Sequence, residues 1–201
     1  MSKALRHPSL LLLLAAVPMA ACGGPELDDA ARAEVVAVGD SAAMALIRTL
    51  GGRLGEHLAA GGPGAAIEFC SSEAQSLTDS VSAALGPGWE VKRTTTRTRN
   101  PRNAPDSLEA EALRYFQAAV DAMDEELPEH HVQVTPDGDY RYYRPLRMAE
   151  MCLQCHGPRE GLDPAVRQVL DERYPADQAT GYDRAEFRGL VRVTVPRTAV
   201  R

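Results

Sequence analysis

The sequence predicts an α+β fold in which a small antiparallel sheet packs against helices. Near the N-terminus, two Ala-rich segments place apolar residues at helical spacing, which predicts two long helices. Further along, two segments flank a Pro-Asp-Gly-Asp turn, whose residues predict a β-hairpin. Two more predicted strands lie apart from this hairpin, which favours a small sheet covered by the helices.

The first 21 residues have the three-part build of a lipoprotein-type signal peptide. Lys3 and Arg6 give a basic start, an apolar run follows, and small residues precede Cys22. The run is too short to cross the roughly 30 Å hydrocarbon core of a bilayer as a permanent helix. We therefore expect export and lipidation of Cys22, which would hold the protein on the periplasmic side of a membrane through this anchor alone. A plain signal peptide, cut near Ala21, is the alternative.

Residues 28–201 are predicted to form one domain, joined to the anchor by a linker at 22–27. The whole chain has a formal net charge of −6 at pH 7, and removal of the signal peptide makes the charge more negative. Phosphate binding needs a basic face, so the composition argues against a nucleic-acid partner. Arg97, Arg99 and Arg102 form a basic patch that is too small to change this.

Glycine and proline delimit the predicted helices. Gly61-Gly62 ends the first helix, within which Gly51-Gly52 is a candidate kink. Pro63 suits the start of the second helix. Asp106 and Glu109 form a capping box at the start of the third. The predicted helices cover about residues 28–60, 63–85, 106–127, 148–155 and 163–174.

The predicted strands are separated by turns rich in proline, glycine and asparagine. Residues 89–98 combine β-branched with alternating basic side chains, and a rigid polar turn follows at 100–105. Tyr140 and Tyr142 share one face of their strand, where packing is favoured over chemistry. The predicted strands cover residues 89–98, 131–135, 140–146 and 187–195.

A Cys-Leu-Gln-Cys-His motif at 152–156 is the most specific feature of the sequence. Two thiols at this spacing can form thioethers with both vinyl groups at one edge of a porphyrin, and the adjacent histidine then lies under the iron. Such attachment occurs outside the cytoplasm, in agreement with the export signal. We therefore predict one covalent haem c on Cys152 and Cys155, with His156 as the proximal iron ligand.

Two other roles for this cysteine pair are a zinc site and a redox dithiol. Structural zinc usually takes two such pairs, and the sequence has no second Cys-x-x-Cys. A thioredoxin-type dithiol expects a βαβ context, which the surrounding sequence lacks.

The residues alone leave the second iron ligand open. Cys70 is the cysteine left over once the others are assigned, and it lies on the apolar face of its helix, as an ordinary buried cysteine would. Methionine and histidine are the usual second ligands of c-type cytochromes. The eligible residues of these two types are Met148, Met151, His57, His130 and His131.

Several stretches, in the same order along the chain, resemble one family. They are 65–70 (Ala-Ala-Ile-Glu-Phe-Cys), 98–106 (Thr-Arg-Asn-Pro-Arg-Asn-Ala-Pro-Asp), 152–157 (Cys-Leu-Gln-Cys-His-Gly) and 177–182 (Asp-Gln-Ala-Thr-Gly-Tyr), with Arg188-Gly189 after them. The sequence is similar to the PAS-like single c-type haem domain family, also called domain of unknown function three-three-six-five, over about residues 28–196. The resemblance implies one haem c in a PAS-like pocket, with His156 and Cys70 as the iron ligands.

A thiolate ligand would account for the leftover cysteine. It is a strong anionic donor that stabilises ferric over ferrous iron, and the metal would keep Cys70 deprotonated in an apolar site. Arg99 and Asn100 are candidates for hydrogen bonds to the haem propionates. A structural turn closed by asparagine side chains is the alternative for this segment. Residues 177–182 are expected to form a fixed turn that positions the last strand.

The motif and the export signal predict an extracytoplasmic c-type haem protein, and the family resemblance implies that it senses redox state or a diatomic gas such as NO or CO. A six-coordinate iron has no free site, so a gas would have to displace a ligand, and Cys70 is the expected one. The alternative is an electron-transfer monohaem cytochrome c without ligand change. A haem peroxidase that uses His130 or His131 is favoured least, so no catalytic residue is predicted. A redox protein is an expected partner, and homodimerisation stays open.

Overall fold

The computed structural model describes residues 27–122 and 127–200. The predicted signal peptide, Cys22 and most of the predicted linker lie outside the described residues. The helices are α1 (Asp29–Ser72), α2 (Ala74–Leu85), α3 (Ser107–Asp121), α4 (Leu153–His156) and α5 (Pro164–Arg173), and the strands are β1 (Glu90–Thr94), β2 (His131–Val134), β3 (Tyr140–Arg147) and β4 (Phe187–Val195).

The four strands form one antiparallel sheet in the order β1-β4-β3-β2. This arrangement confirms the predicted α+β class and the small antiparallel sheet. Tyr140 pairs with Val195 and Tyr142 with Val193, so the two tyrosines share the face that also carries the buried valines of β4. Both tyrosines pack in or against this core, as their spacing predicts.

β1 is shorter than the strand predicted over 89–98. After Thr94 the backbone turns away from the sheet, because the N–H of Thr95 donates to the carbonyl of Asn103 at 3.2 Å. The hydroxyl of Thr95 donates to the carbonyl of Arg188 at 2.9 Å. These bonds tie the turn that follows β1 to the start of β4.

α1 breaks where the sequence predicts it. Gly61 and Gly62 have non-helical backbone angles, and φ of Gly62 is +67°, a value that glycine adopts without strain. Pro63 follows at once, and proline is tolerated at the start of a new helical segment. The backbone stays helical through Gly51-Gly52, the other candidate kink.

A second break, at Glu73, divides the helix predicted over 63–85. The hydroxyl groups of Ser71 and Ser72 donate to the carbonyl of Glu68 at 2.9 and 2.8 Å, in competition with the backbone N–H groups of the helix. Glu73 has a φ of −117°, outside the helical range. No glycine or proline lies at this break, so glycine and proline signals do not predict it.

Each face of the sheet packs against a different helix. α1 covers one face with Val35, Ala42 and Leu46, which cluster with valines of β1 and β4. The packing is close at Gly39, where a Cβ atom would lie 2.4 Å from Cγ of Tyr142. On the other face, the buried residues of α3 and the sheet are Ala112, Leu113, Phe116, Tyr143 and Leu190.

The carboxylate of Glu109 joins α3 to the sheet. It is fully buried and accepts hydrogen bonds from Lys92 Nζ at 2.7 Å and Arg192 Nε at 3.0 Å. It also accepts the backbone N–H of Asp106, whose own carboxylate accepts the N–H of Glu109, so the predicted capping box is confirmed. α3 ends at Asp121 rather than near residue 127, and residues 123–126 lie outside the described residues.

By length and composition alone, α1 is the one helix of the described residues that could cross a membrane. Core helices of soluble domains pass the same test, and Val35, Ala42 and Leu46 of α1 are buried against the sheet. This candidate span was not expected from the sequence. Attachment through a lipid on Cys22 concerns residues outside the described part of the chain and stays a prediction.

Gly39→Ala is expected to lower the free energy of unfolding by about 1–3 kcal/mol, because the new methyl group must displace the ring of Tyr142. Gly52→Ala is the matched control in the same helix. Nothing lies within 4 Å of a Cβ at Gly52, so alanine there should stabilise the helix by about 0.5–1 kcal/mol. Urea unfolding of both variants measures the difference, and equal effects would contradict the close packing of α1 on β3.

Candidate functional site

A cavity of about 240 Å³ lies between α1, the ends of β1 and β4, and the segment that contains the Cys-Leu-Gln-Cys-His motif. Its walls are mostly apolar, with Leu54, Ile67 and Leu190 among the lining residues. The predicted site residues Cys70, Cys152, Cys155, His156, Arg99 and Asn100 all line this cavity, although they come from three distant parts of the sequence.

The motif adopts helical turns that direct its three reactive side chains to one side. A 3-10 turn covers 150–152, and α4 follows directly. Residues three and four apart share a helix face, so Cys152, Cys155 and His156 line the cavity together. Gly157 ends α4, and a Cβ there would lie 2.7 Å from the carbonyl oxygen of Leu153.

The helix predicted over 148–155 begins later than expected. Met148 still belongs to an extended segment, since its N–H donates to the carbonyl of Glu186 at 2.9 Å and its carbonyl accepts the N–H of Ala185 at 2.8 Å. This long-range pairing overrides the local helical pattern around Met148.

The imidazole of His156 is held in one orientation. Its Nδ1 lies 2.6 Å from the carbonyl oxygen of Ala179, which can only accept, so Nδ1 carries the proton. The backbone carbonyl of His156 accepts the N–H of Tyr182 at 3.0 Å. Burial, together with the nearby Arg99 and Arg188, lowers the pKa of His156 well below its usual value. The ring is therefore neutral, and its Nε2 has a lone pair available for a metal.

Cys70 lies near the end of α1, where its surroundings are apolar. It packs against a buried cluster that includes Ile67 and Val166, and Cys155 packs against the same cluster. Burial raises the pKa of the Cys70 thiol, while the positive charges of Arg93 and Arg99 oppose that rise. Burial likewise raises the pKa of Cys155 to about 11. Without a metal or a covalent bond, these sulfurs would stay protonated thiols at neutral pH.

Of the five methionines and histidines that are eligible as second iron ligand, Met151 lines the cavity and the other four do not. Met151 lines the cavity and is 36% exposed. His57 stacks on Phe69, with 4.7 Å between ring centroids. His130 stacks on Tyr142 and His131 on Tyr115, both away from the cavity lining. Met148 is buried and does not line the cavity either. Within residues 27–122 and 127–200, no three His, Cys, Asp or Glu side chains lie close enough to hold a metal ion by themselves.

Arg99 connects three segments around the cavity. Its Nε donates to Asp177 at 3.0 Å, and its Nη2 donates to the carbonyl of Cys155 at 2.7 Å. The same carboxylate accepts the N–H of Ala179 at 3.1 Å, so it also fixes the residue that bonds to His156. The side chains of Arg99 and Asp177 are 10% and 3% exposed, which makes this a largely buried ion pair.

Asn100 forms a structural turn. Its side chain accepts the N–H of Arg102 at 3.0 Å and caps a 3-10 turn at 101–103. These bonds of Arg99 and Asn100 to the protein agree with the structural alternative for this segment. Contacts of the two residues with haem propionates stay predictions.

Two arginines of the cavity, Arg93 and Arg188, were not predicted as site residues from the sequence. Arg93 lies on β1, and its Nε is buried without a hydrogen-bond partner. Arg188 donates through Nη1 to the hydroxyl of Thr95 at 2.8 Å and to the carbonyl of Arg97 at 3.1 Å. The available signal was that Arg93 shares a strand face with the apolar Val91, a position where a charge is unusual.

The comparisons with known proteins point to a family with a haem protein among its relatives. The model of the Tll0287-like family (Tll0287) matches residues 19–196. The structure is similar to that of the cyanobacterial heme-protein Tll0287, with a TM-score of 0.50 and 26% sequence identity. This similarity covers 62% of the present chain and 70% of the other. Comparison with curated proteins found no match.

Arg99→Met is expected to lower the free energy of unfolding by about 3–5 kcal/mol, because it leaves the buried carboxylate of Asp177 without its cation. Arg102→Met is the matched control in the same turn. The ion pair of Arg102 with Asp79 is exposed, so its loss should cost at most about 1 kcal/mol. Urea unfolding measures both values, and similar losses would contradict the role of Arg99 as the link between the three segments.

Proposed function

Because the chain belongs to the Tll0287-like family, we propose that it is an extracytoplasmic c-type haem protein that senses redox state or a diatomic gas. One haem c is attached through thioethers to Cys152 and Cys155 in a PAS-like pocket formed by residues 28–201. His156 is the proximal iron ligand and Cys70 the distal one. The observation that carries the proposal is that these four side chains line one cavity.

The donor set of the cavity fits a covalently bound haem. Cys152 and Cys155 lie one helical turn apart, so both thiols can reach the vinyl groups at one porphyrin edge. His156 keeps its Nε2 available because its Nδ1 donates to the Ala179 carbonyl. The apolar walls suit the faces of a porphyrin. When bound, haem supplies an iron that exchanges one electron and binds diatomic gases.

Cys70 gives the site its means of switching. A Cys70 thiolate bound to haem iron would favour the ferric state, so that reduction would weaken the bond between iron and sulfur. Cys70 precedes the break at Glu73 by less than one helical turn, where the helical hydrogen bonds are already interrupted. Release of the sulfur would therefore act on the junction between α1 and α2. This junction is the element through which the state of the haem reaches the protein surface.

The location follows from the N-terminal sequence. Attachment of haem c takes place outside the cytoplasm, and the lipoprotein-type signal at 1–21 would deliver the chain there with Cys22 acylated. The protein then faces the periplasm on a lipid anchor, where NO, CO or a redox protein reaches the haem.

Electron transfer by a monohaem cytochrome c is the second candidate, and Met151 is the observation that favours it. Met151 lines the cavity next to Cys152 and is partly exposed. If its sulfur were the second ligand, both oxidation states would keep the same pair of ligands, as suits an electron carrier. The reduction potential would then be higher than with a thiolate ligand.

The identity of the second ligand is tested by the absorption and EPR spectra of the ferric protein. Cys70→Ala should replace a low-spin thiolate spectrum by a spectrum with a weaker or absent sixth ligand. Met151→Leu is the control and should leave the ferric spectrum unchanged. The opposite result, a change with Met151→Leu and none with Cys70→Ala, would favour the electron carrier.

Gas binding to the reduced protein tests the sensor role separately. In the parent protein, the rate of carbon monoxide binding should reach a plateau at high gas concentration, because dissociation of the Cys70 sulfur limits it. In Cys70→Ala the rate should rise linearly with gas concentration. Stopped-flow absorption measures both, and a reduced parent that binds no carbon monoxide would count against a gas sensor.

A further inference from the structure

We propose that Arg93 is the counter-ion of the Cys70 thiolate and that it makes the haem site easier to reduce. The inference deepens the proposed function and rests on its assignment of Cys70 as an iron ligand. It assigns to Arg93 a positioning and electrostatic role that acts through the sulfur rather than on the iron.

The position of Arg93 in the sheet is unusual for a charged residue. Arg93 pairs with Val191 and shares its strand face with Val91, and both valines belong to the apolar core beneath α1. The side chain reaches from this face into the cavity wall, where Cys70 is also found. Its Nε is buried and has no hydrogen-bond partner.

The other two arginines of the cavity, Arg99 and Arg188, already have hydrogen-bond partners within the protein. The two cations that act on the Cys70 sulfur are the guanidinium groups of Arg93 and Arg99. Arg99 is paired with the carboxylate of Asp177 and bonded to the carbonyl of Cys155. Arg188 donates to Thr95 and to a backbone carbonyl. Arg93 is therefore the arginine of this cavity that has N–H donors without a partner. Among the described residues, no carboxylate forms an ion pair with it.

A half-buried guanidinium with a buried, unpartnered Nε and no anion is costly to stability. Glu109, in contrast, binds both Lys92 and Arg192 on the opposite face of the same sheet, so this fold pairs its buried charges elsewhere. An unpaired charge that persists in a cavity is a feature of functional sites, where a ligand supplies the missing partner. The buried members of the cluster beside Cys70 are apolar and carry no charge, and Tyr174, which packs against the same cluster, is a neutral neighbour.

The net charge of the haem and its sulfur ligand in the two oxidation states explains how Arg93 would affect reduction. With a thiolate ligand, the ferric iron, the porphyrin dianion and the sulfur together are neutral. An electron from an outside one-electron donor gives this group one negative charge, in an environment of low dielectric constant. The positive charge of Arg93 would stabilise the reduced state and would pair with the sulfur anion if its bond to iron weakened.

The test is a double-mutant cycle on the haem-loaded full chain, read by potentiometric titration. Arg93→Met should lower the ratio of reduced to oxidised haem at a fixed potential about tenfold, which is about 59 mV for a one-electron couple. Arg93→Lys keeps the charge and should stay close to the parent. Arg102→Met removes an exposed arginine outside the cavity lining and is the control that should have no effect.

The same substitutions in the Cys70→Ala background show whether Arg93 changes the reduction potential through the Cys70 sulfur. If Arg93 acts through the sulfur, Arg93→Met should change the potential little once Cys70 is absent. An effect of the same size in both backgrounds would overturn the inference and assign Arg93 to a haem propionate. If Cys70→Ala by itself leaves the ferric spectrum unchanged, the ligand assignment in the proposed function fails instead.

Folding of the variants is checked independently by a thermal melt and by haem content. In the Cys70→Ala background no thiolate is present and Arg93 has no carboxylate partner to lose, so Arg93→Met should melt there at or above the temperature of Cys70→Ala alone. A marked loss of stability in that background would indicate a structural role for Arg93 and would also overturn the inference.

Discussion

The buried ion pair between Arg99 and Asp177 is the interaction on which the site depends. It joins the turn after β1, the end of α4 and the loop that precedes β4, three segments that are far apart in the sequence. Through Asp177 it fixes Ala179, whose carbonyl orients the ring of His156. The ion pair therefore acts on the orientation of the imidazole through Ala179, the residue whose carbonyl accepts the hydrogen bond of Nδ1.

The two faces of the sheet have different roles. One face meets α3 and contains a satisfied buried cluster around Glu109, which attaches that helix to β1 and β4. The other face meets α1, whose first part builds the apolar core and whose last part contributes Cys70 to the cavity. The break at Gly61 and Gly62 lies between these two parts of α1. It allows two consecutive helical segments to serve the core and the site separately.

Much of this architecture can be predicted from the sequence, because local signals specify it. The capping box of Asp106, the break at Gly61-Gly62 and the hairpin turn each depend on a few neighbouring residues, and all are observed. Failures occur where distant contacts override the local pattern: β1 ends early because Thr95 bonds to Asn103, and Met148 is extended because it pairs with residues 185 and 186. The bonds of Arg99 to Asp177 and to the carbonyl of Cys155 join segments far apart in the sequence and could not be predicted from it, while its contact with a haem propionate stays a prediction. The importance of Arg93 depends on the absence of a partner, which only a three-dimensional arrangement can reveal.

The central claim is that Cys70 and His156 coordinate the two faces of one covalently attached haem. A crystal structure of the haem-loaded protein tests this claim most directly. We expect thioether bonds from Cys152 and Cys155 to a single haem, with His156 Nε2 and Cys70 Sγ bound to opposite faces of the iron. An iron coordinated by another side chain in place of Cys70, or free thiols at 152 and 155, would contradict the account.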